Sequence, residues 1–455
     1  MDFAGRKVLV VGLGASGYSA ARALADLGAA VSVTEGFAGS MIEERAAELR
    51  ERGIAVEVGG HDFDSMVADL AIVSPGIPPS APVMVTLTER AIPIWSEVEL
   101  AFRIARCDFL AVTGTNGKTT TTTLLAAILE EAGIKTVAAG NIGLPLIDAV
   151  QSMPPGAAIA TEVSSFQLAY IDAFHPRVAV VLNVAEDHTD WHGDFDAYVS
   201  AKARIADNQK PDDYLVLNAD DPIVARLGES AVATIVPFST KTSPPDGAGI
   251  ANDRLEWLGE PFISAGDVPL RGVAGLEDTL AAAAAALAYG VDPRAVARAV
   301  KSFRALPHRL ELVAQAGGIS FIDDSKATNP HATLSAVKGM TDVVLIAGGR
   351  SKGMDLSALA GTVPPVRAVV AIGEARDEVA EVFSGLVPVS LCASMEEAVR
   401  RAADAVVPGG SVLLAPGCAS LDMYPSYAAR GEDFSRCVGL VLEKRPGGGG
   451  DGNAQ

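Results

Sequence analysis

Residues Phe109–Gly143 read FLAVTGTNGKTTTTTLLAAILEEAGIKTVAAGNIG. An apolar run, a glycine-bearing turn, a Thr/Leu/Ala stretch of helical character and a second apolar run give strand, loop, helix and strand, the unit of an α/β fold. The loop carries a phosphate-binding signature. Its spacing is not the full GxxxxGK[ST], because Val112 stands where the first glycine belongs, but Gly114, Gly117, Lys118 and Thr119 are in place. Backbone N–H groups at the helix start suit phosphate oxygens, Lys118 suits the β/γ-phosphates, and the Thr119 hydroxyl suits Mg²⁺. The plainer reading is a glycine turn before a Thr-rich helix; Gly-Lys-Thr directly after an apolar strand favours phosphate.

The same rhythm appears upstream and downstream. Residues 6–35, RKVLVVGLGASGYSAARALADLGAAVSVTE, place Gly12, Gly14 and Gly17 in GxGxxG and end a second strand at Glu35. That fingerprint fixes the fold better than the ligand, and with Glu35 standing where a ribose-binding acid would sit, NAD stays open on these residues alone. Further apolar runs, AAIATEVSSFQL and VAVVLNVAEDH, leave Glu162 and His188 near strand C-terminal ends, where α/β sheets place ligands. Lys202 follows in SAKARI, and an ammonium repels a metal, so its charge conflicts with a metal site built from the carboxylates and histidines before it. Asp190 and His192 read as loop residues. The rhythm restarts at LPHRLELV and runs through GISFIDDSKATNP, DVVLIAGGRSKGMDL and SVLLAPGCASLDMYPSYAARG. The expectation is an α/β protein of three domains: a Rossmann-like 1–96, a P-loop ATPase-like 97–304 closed by alanine-rich helices at 276–302, and a Rossmann-like 305–445. Residues 446–455 are expected to be a flexible tail.

Bulk properties agree with this division. At 455 residues the chain exceeds one core, and 49% hydrophobic with only 5% aromatic residues suits parallel sheets under helices. A formal net charge of −20 argues against nucleic acid as a partner. The four cysteines form no CxxC pair, no apolar run reaches the length of a membrane span, and the first residues enter a strand without a signal-peptide pattern, so a cytoplasmic protein is expected.

Taken in order, TGTNGKTT, GNIG, EVSSFQL, NVAEDH, SAKARI, LPHRLE, DDSKATNP and LAPGCASLD resemble the Mur ligases of peptidoglycan synthesis over nearly the whole chain. DSKATNP and CASLD point most narrowly, to the member that adds D-glutamate to UDP-N-acetylmuramoyl-L-alanine. The resemblance implies that ATP phosphorylates a substrate carboxylate and that the amino group of the incoming amino acid attacks the acyl phosphate. A monomer acting on small molecules is the expectation.

The resemblance also implies roles. ATP would lie on Gly114, Thr115, Asn116, Gly117, Lys118, Thr119 and Thr120, with Asp278, Arg309 and Asp324. Thr119 and Glu162 would serve one Mg²⁺; Glu162, His188 and a Lys202 carbamylated by CO₂ would serve a second, which removes the charge conflict at Lys202. Lys118, Glu162, His188, Lys202 and Arg309 form the expected catalytic set. Leu13, Gly14, Ala15 and Ser16 would lie near the diphosphate of the UDP substrate and Thr34 and Glu35 near its uracil, with Ser74, Gly76 and Asn141 also on that substrate. Lys326, Thr328, Lys352, Ser420, Leu421 and Tyr427 would surround D-glutamate, although Ser420 and Tyr427 read equally well as loop polar residues. One segment departs from the family. Where it has His-Asn, two residues, then Asn, this chain has Glu277, Asp278 and Ala281, which predicts a weaker ATP site. Competing readings are a Mur-like binding protein with impaired ATP turnover and a paralogue using L-glutamate or another amino acid.

Overall fold

Alternation of short apolar strands with amphipathic helices produces three sheets. In the computed structural model, which describes residues 2–63, 67–270, 272–304 and 306–444, the first sheet contains β1 (Lys7–Val11), β2 (Ala30–Glu35), β3 (Ala55–Val58), β4 (Leu70–Val73) and β5 (Ile94–Ser96). Its order is β3-β2-β1-β4-β5, all parallel, so the chain reverses direction across the sheet between β1 and β4. A crevice opens at such a reversal, beyond the strand C-termini.

The second sheet begins with β6 (Asp108–Thr113), β7 (Thr136–Gly140), β8 (Ala158–Glu162) and β9 (Val178–Val181). It continues through β10 (Tyr214–Asn218), β11 (Thr234–Phe238), β12 (Ala248–Ala251), β13 (Arg254–Trp257) and β14 (Glu260–Ser264). The order is β14-β13-β12-β11-β10-β9-β6-β8-β7, with β6 between β9 and β8. Register pairs Val112 with Glu162 and Thr113 with Val181, so the turn after β6 emerges between the ends of both neighbours. All five residues of β8 are buried, as a strand covered on both faces requires. The antiparallel meander β12–β14 was not apparent from sequence, because its strands mix Gly, Arg and Glu with single apolar residues and show no run.

The third sheet holds β15 (Glu311–Ala316), β16 (Ile319–Asp323), β17 (Val343–Gly348), β18 (Val366–Ile372), β19 (Val389–Leu391) and β20 (Ser411–Leu414) in the order β15-β16-β20-β17-β18-β19. Only β15 runs antiparallel to its neighbour. β17, VVLIAG, is buried throughout.

The chain divides into two units. One comprises the residues up to Val268 with Glu277–Phe303 and contains the first two sheets; the other comprises Pro269–Leu276 and the chain from Arg304, and contains the third. In the first unit, a continuous core joins Val8, Val10 and Leu24 of the first sheet's layer to Phe109, Ala111 and Ile159 of the second. Glu99, fully buried, accepts hydrogen bonds from the N–H groups of Asp172, Ala173 and Phe174 and from Arg103. In the second unit, cores lie on both faces of the sheet.

Two expectations change. The alanine-rich helix begins at Gly272 rather than 276 and ends at Ala288, followed by Pro293–Ser302. Asp190 and His192 are not loop residues but lie in a single helical turn, Thr189–His192. The four cysteines are free, as their spacing suggested. The segment 446–455 lies outside the described residues. Among those that are described, no helix is long and apolar enough to cross a membrane.

Candidate active site

At the reversal point of the first sheet, Gly12 follows β1 with φ +96° and the helix Ala15–Asp26 starts within three residues. A Cβ at Gly17 would lie 2.0 Å from the Gly12 carbonyl oxygen, so the helix can begin this close to the strand only with glycine there. Gly14 and Ala15 are exposed and Ser16 is half-buried. Across the crevice, after β4, the Ser74 hydroxyl is buried without a hydrogen-bond partner and Gly76 is exposed. Thr34 and Glu35 turn inward instead. The Thr34 hydroxyl lies 2.7 Å from His61 Nδ1, and Glu35 accepts from Leu13 N (2.6 Å) and Phe37 N (2.9 Å). Glu35 therefore braces the glycine turn with Oε2 and the chain after β2 with Oε1, where the dinucleotide reading needs an acid open to a ribose.

The phosphate-binding turn lies between β6 and the helix Lys118–Glu131. Asn183, after β9, holds it by side chain and main chain: Asn116 N donates to Asn183 Oδ1 (2.8 Å), Asn183 Nδ2 to Asn116 O (3.2 Å), and Thr115 N to Asn183 O (2.9 Å). The Thr115 hydroxyl lies 3.0 Å from that of Tyr198 and accepts from Ala185 N. Thr119 is half-buried and Thr120 buried at the helix start.

Two lysines converge on this turn. Lys118 Nζ donates to Gly114 O (2.9 Å) and Thr115 O (2.8 Å), and Lys202 Nζ donates to the same Gly114 O (2.8 Å). Lys202 is buried and also lies 4.5 Å over the Tyr198 ring. Burial first, and then the charge of Lys118, hold its amine well below the ordinary lysine range, against the opposing pull of Asp187 and Glu162.

Glu162 ends β8, buried, with Oε1 accepting from Asn141 Nδ2 (2.9 Å) and Oε2 buried without a hydrogen-bond partner. His188 has a left-handed backbone (φ 53°), which a non-glycine residue seldom adopts. Its Nδ1 lies 3.6 Å from Asp187, and its ring packs 4.7 Å from Phe166. The same phenyl ring stacks on His192, whose Nε2 lies 2.9 Å from the Ser165 hydroxyl. Asp278 comes to the phosphate turn: its Oδ1 accepts from the Thr121 hydroxyl (3.1 Å) and lies 2.2 Å from where a Cβ on Gly117 would be. Gly117, at φ +83°, is thus required twice over. Ala281 is fully buried within its helix.

In the second unit, the loops after β16, β17 and β20 carry the expected amino-acid-binding residues. Lys326 Nζ lies 3.9 Å over the Tyr427 ring, Thr328 is half-buried, Ser420 is buried and Leu421 is exposed. Lys352 is left-handed (φ 54°). Arg350 and Ala419 exchange main-chain hydrogen bonds, which fastens the Lys352 loop to the Ser420 loop. Asp324 accepts from Leu310 N (3.3 Å), and desolvation pushes its carboxyl up to about 7, against Arg309 and that N–H and with Asp323 adding to the rise. His308, Glu311 and Asp323 bring ligand-type atoms within 4.8 Å of one another, but internal hydrogen bonds account for the cluster: His308 Nδ1 lies 2.7 Å from Asp323, and His308 N donates to Glu311.

Sequence reasoning passed over Tyr198, Asp187, His308 and Arg430. The last is the largest fully buried side chain among the described residues. From the helix Tyr427–Lys444, its guanidinium donates to the Ser325 hydroxyl (3.0 Å), Ser325 O (2.8 Å) and Cys418 O (3.1 Å), tying the loop that carries Lys326 to the loop that carries Ser420. An arginine in an exposed-looking YAARGED segment gives no sign in sequence that its partners include main-chain atoms a hundred residues away.

A glycine turn at one sheet reversal, a phosphate turn at a second and a set of cationic and hydroxyl-bearing loops on a third sheet define a nucleotide-dependent ligase. The chain belongs to the Mur ligase family. Its segments match the family's MurD-like N-terminal domain (residues 6–96), middle domain (112–286) and glutamate ligase domain (308–418). It is 39% identical over 447 residues to the UDP-N-acetylmuramoylalanine–D-glutamate ligase of Geobacter metallireducens, covering 97% of this chain and 99% of that one. To the protein of the same name from Frankia casuarinae it is 42% identical over 448 residues, covering 96% and 95%. Its fold is similar to that of the MurF ligase of Thermotoga maritima solved with ADP (TM-score 0.61, 17% identity, 91% and 96% covered) and of the UDP-N-acetylmuramate–alanine ligase MurC of that organism (0.59, 20%, 96% and 99%).

Replacing Arg430 by Met keeps most of the volume but strands two carbonyl groups and leaves the Ser325 hydroxyl only its bond to Tyr427 O, so a loss of about 3–5 kcal/mol in unfolding free energy is expected. Denaturant titration measures it, and a loss below about 1 kcal/mol would show that water replaces the guanidinium at those oxygens.

Proposed function

We propose that this chain joins D-glutamate to UDP-N-acetylmuramoyl-L-alanine with hydrolysis of ATP to ADP and phosphate, acting as a monomer in the cytoplasm. The UDP substrate, ATP and the amino acid are assigned to residues 1–96, 97–304 and 305–445. The observation that carries the reading is the meeting of Lys118 and Lys202 at the Gly114 carbonyl, beside buried Glu162. Two lysine amines share one neutral oxygen, burial and the charge of one holding the other below its ordinary range, and a nucleotide phosphate is the anion this turn is shaped to take.

The substrate carboxylate attacks the γ-phosphorus of ATP and ADP leaves. The amine of glutamate then attacks the acyl phosphate carbon, and collapse of the tetrahedral species expels phosphate, with loss of the ammonium proton. Charge stabilisation is the main demand of such a transfer. Lys118 meets it by exchanging Gly114 O and Thr115 O for phosphate oxygens, while Asn183 and Tyr198 keep the turn in shape. Glu162 fits a divalent cation, since its Oε2 is buried and has no other partner. Thr119 and Glu162 would hold one Mg²⁺, and Glu162, His188 and carbamylated Lys202 another; bound there, Mg²⁺ supplies charge neutralisation. Carbamylation is supported by the lysine pair: the Lys202 amine adds to CO₂ with release of a proton, and the resulting anion ends its repulsion with Lys118. Leu13, Gly14, Ala15, Ser16, Ser74, Gly76 and Asn141 are assigned to the UDP substrate. Arg309 and Asp324 are assigned to ATP, and Lys326, Thr328, Lys352, Ser420, Leu421 and Tyr427 to D-glutamate.

Phosphate release with UDP-N-acetylmuramoyl-L-alanine, ATP and a panel of amino acids including both glutamate enantiomers tests the reading. Turnover confined to D-glutamate is expected; turnover with L-glutamate or another amino acid, or none with any, overturns it. Lys202→Ala is expected to lose most of the activity and to regain part of it with acetate, which returns two oxygens to the site. Full activity without acetate would remove the carbamate. Asp278 places a carboxylate at the phosphate turn, so Asp278→Asn should lower the KM for ATP about fivefold, the equivalent of roughly 1 kcal/mol, and change kcat less. An unchanged KM would show that the Thr121 hydrogen bond already neutralises its effect.

A further inference from the structure

The phosphate turn is held from the end of β9 by Asn183, and Asn183 is in turn held on both sides from β10. The parallel ladder between these two strands ends at the pair Val181 and Leu217. Beyond it, side chains take over. Asn218 Nδ2 donates to Leu182 O (2.9 Å) and Asp221 Oδ2 accepts from Val184 N (3.0 Å), so the residue before Asn183 and the residue after it are each tied to the loop that follows β10. That loop is laced to the next one. Asn218 Oδ1 accepts from Asp220 N (2.9 Å), and the Asp220 carboxylate accepts from the Ser239 hydroxyl (2.7 Å) and from Thr240 N (2.8 Å) after β11.

The segment 182–184 shapes the turn by close contact as well as by hydrogen bonds. A Cβ on Gly114 would lie 3.0 Å from Leu182 Cβ and 3.3 Å from Asn183 O, and one on Gly117 would lie 3.1 Å from Leu182 Cδ1. Both glycines of the turn therefore rest on this segment, and a shift of Leu182 moves the Gly114 carbonyl at which Lys118 and Lys202 meet. We propose that Asn218 and Asp221 are positioning residues for ATP binding: by fixing the main chain on either side of Asn183, they keep the phosphate turn in its receiving shape before ATP arrives. The inference rests on the reading of residues 114–119 as the ATP phosphate turn. A turn left to be ordered by its ligand would take the ordering cost out of the affinity, and these two side chains remove that cost beforehand.

Asp221 has a second duty, and the two duties separate by atom. Oδ1 accepts from Ile223 N (2.9 Å) and Val224 N (3.2 Å) and caps the helix Pro222–Arg226, while Oδ2 serves Val184. In Asp221→Asn the amide oxygen stays at the cap, where two N–H groups ask for it against one at Val184. The amide NH2 then meets the Val184 N–H, donor against donor. Asp221→Ser keeps a capping hydroxyl but offers one oxygen where the carboxylate has two. Both changes cut the tie to the Asn183 segment and spare the helix. A merely structural role would lower stability and leave the affinity for ATP alone.

Calorimetric titration of the full chain with ATP and Mg²⁺, and separately with UDP-N-acetylmuramoyl-L-alanine, tests this in Asp221→Asn, in Asn183→Ala and in the double variant. Asp221→Asn should raise the Kd for ATP about fivefold, the scale of one lost hydrogen bond, and leave the Kd for the UDP substrate unchanged. Asn218→Ala, which frees the other side of Asn183, should do the same. In the Asn183→Ala background the side-chain bonds to Asn116 are already gone, so Asp221→Asn should raise the ATP Kd there by less than about twofold. An equal factor in both backgrounds overturns the proposal, as does an unchanged ATP Kd in Asp221→Asn or a parallel rise for both ligands. Asp221→Ser, judged by the same outcomes, takes the place of Asp221→Asn should that variant not fold. Absence of ATP binding by the unaltered protein would instead overturn the assignment of the phosphate turn.

Discussion

The Gly114 carbonyl oxygen is the point from which the first unit is organised. Lys118 reaches it from the next helix and Lys202 from a helix more than eighty residues away, so that two lysine amines converge on one atom. Satisfying both at one neutral acceptor is costly in a buried setting, where a poorly compensated charge has no water to turn to. The turn is nevertheless held in that shape. Asn183 grips Asn116 and Thr115, Tyr198 and Ala185 grip the Thr115 hydroxyl, and Gly117 permits the left-handed step into the helix. The unfavourable meeting of the two amines is thus fixed in advance by neutral hydrogen bonds, which is how a site can be made ready for an anion before one arrives.

The second unit solves a different problem with one cation. Loops after three parallel strands must present a lysine, hydroxyls and an aromatic ring in register, and loops lack the ladder that aligns strands. Arg430 supplies the alignment, with a planar fork that reaches two loops at once. Left-handed backbone at His308 and Lys352 shows where the loops are held against their local preference, and His188 shows the same in the first unit.

Much of the fold was legible because parallel α/β units repeat a simple pattern. Each buried strand is an apolar run, each helix has a polar face, and glycine marks the turns that meet phosphate, so β1, β2, β6, β8 and β9 and the helices between them stand out. The meander β12–β14 did not, since its strands are partly exposed and their sequence has no run of apolar residues. The placement of His192 failed for a related reason: a single helical turn has no period to read, and its stability comes from packing on Phe166.

The sequence by itself determined the chemistry available: a Gly-Lys-Thr turn after a buried strand, an acid at the end of the next strand, and a lysine whose charge did not suit its neighbours. These are local facts, set by residue type and by the order of elements along the chain. Only the tertiary structure decided that Lys202 and Lys118 share an oxygen, that Glu35 braces a turn instead of facing a ribose, that Asp278 overhangs Gly117, and that Arg430 holds main-chain and side-chain partners far away in sequence. The reason is that hydrogen-bond partners and desolvation depend on which side chains long-range strand register brings together, and no spacing along one segment encodes that meeting.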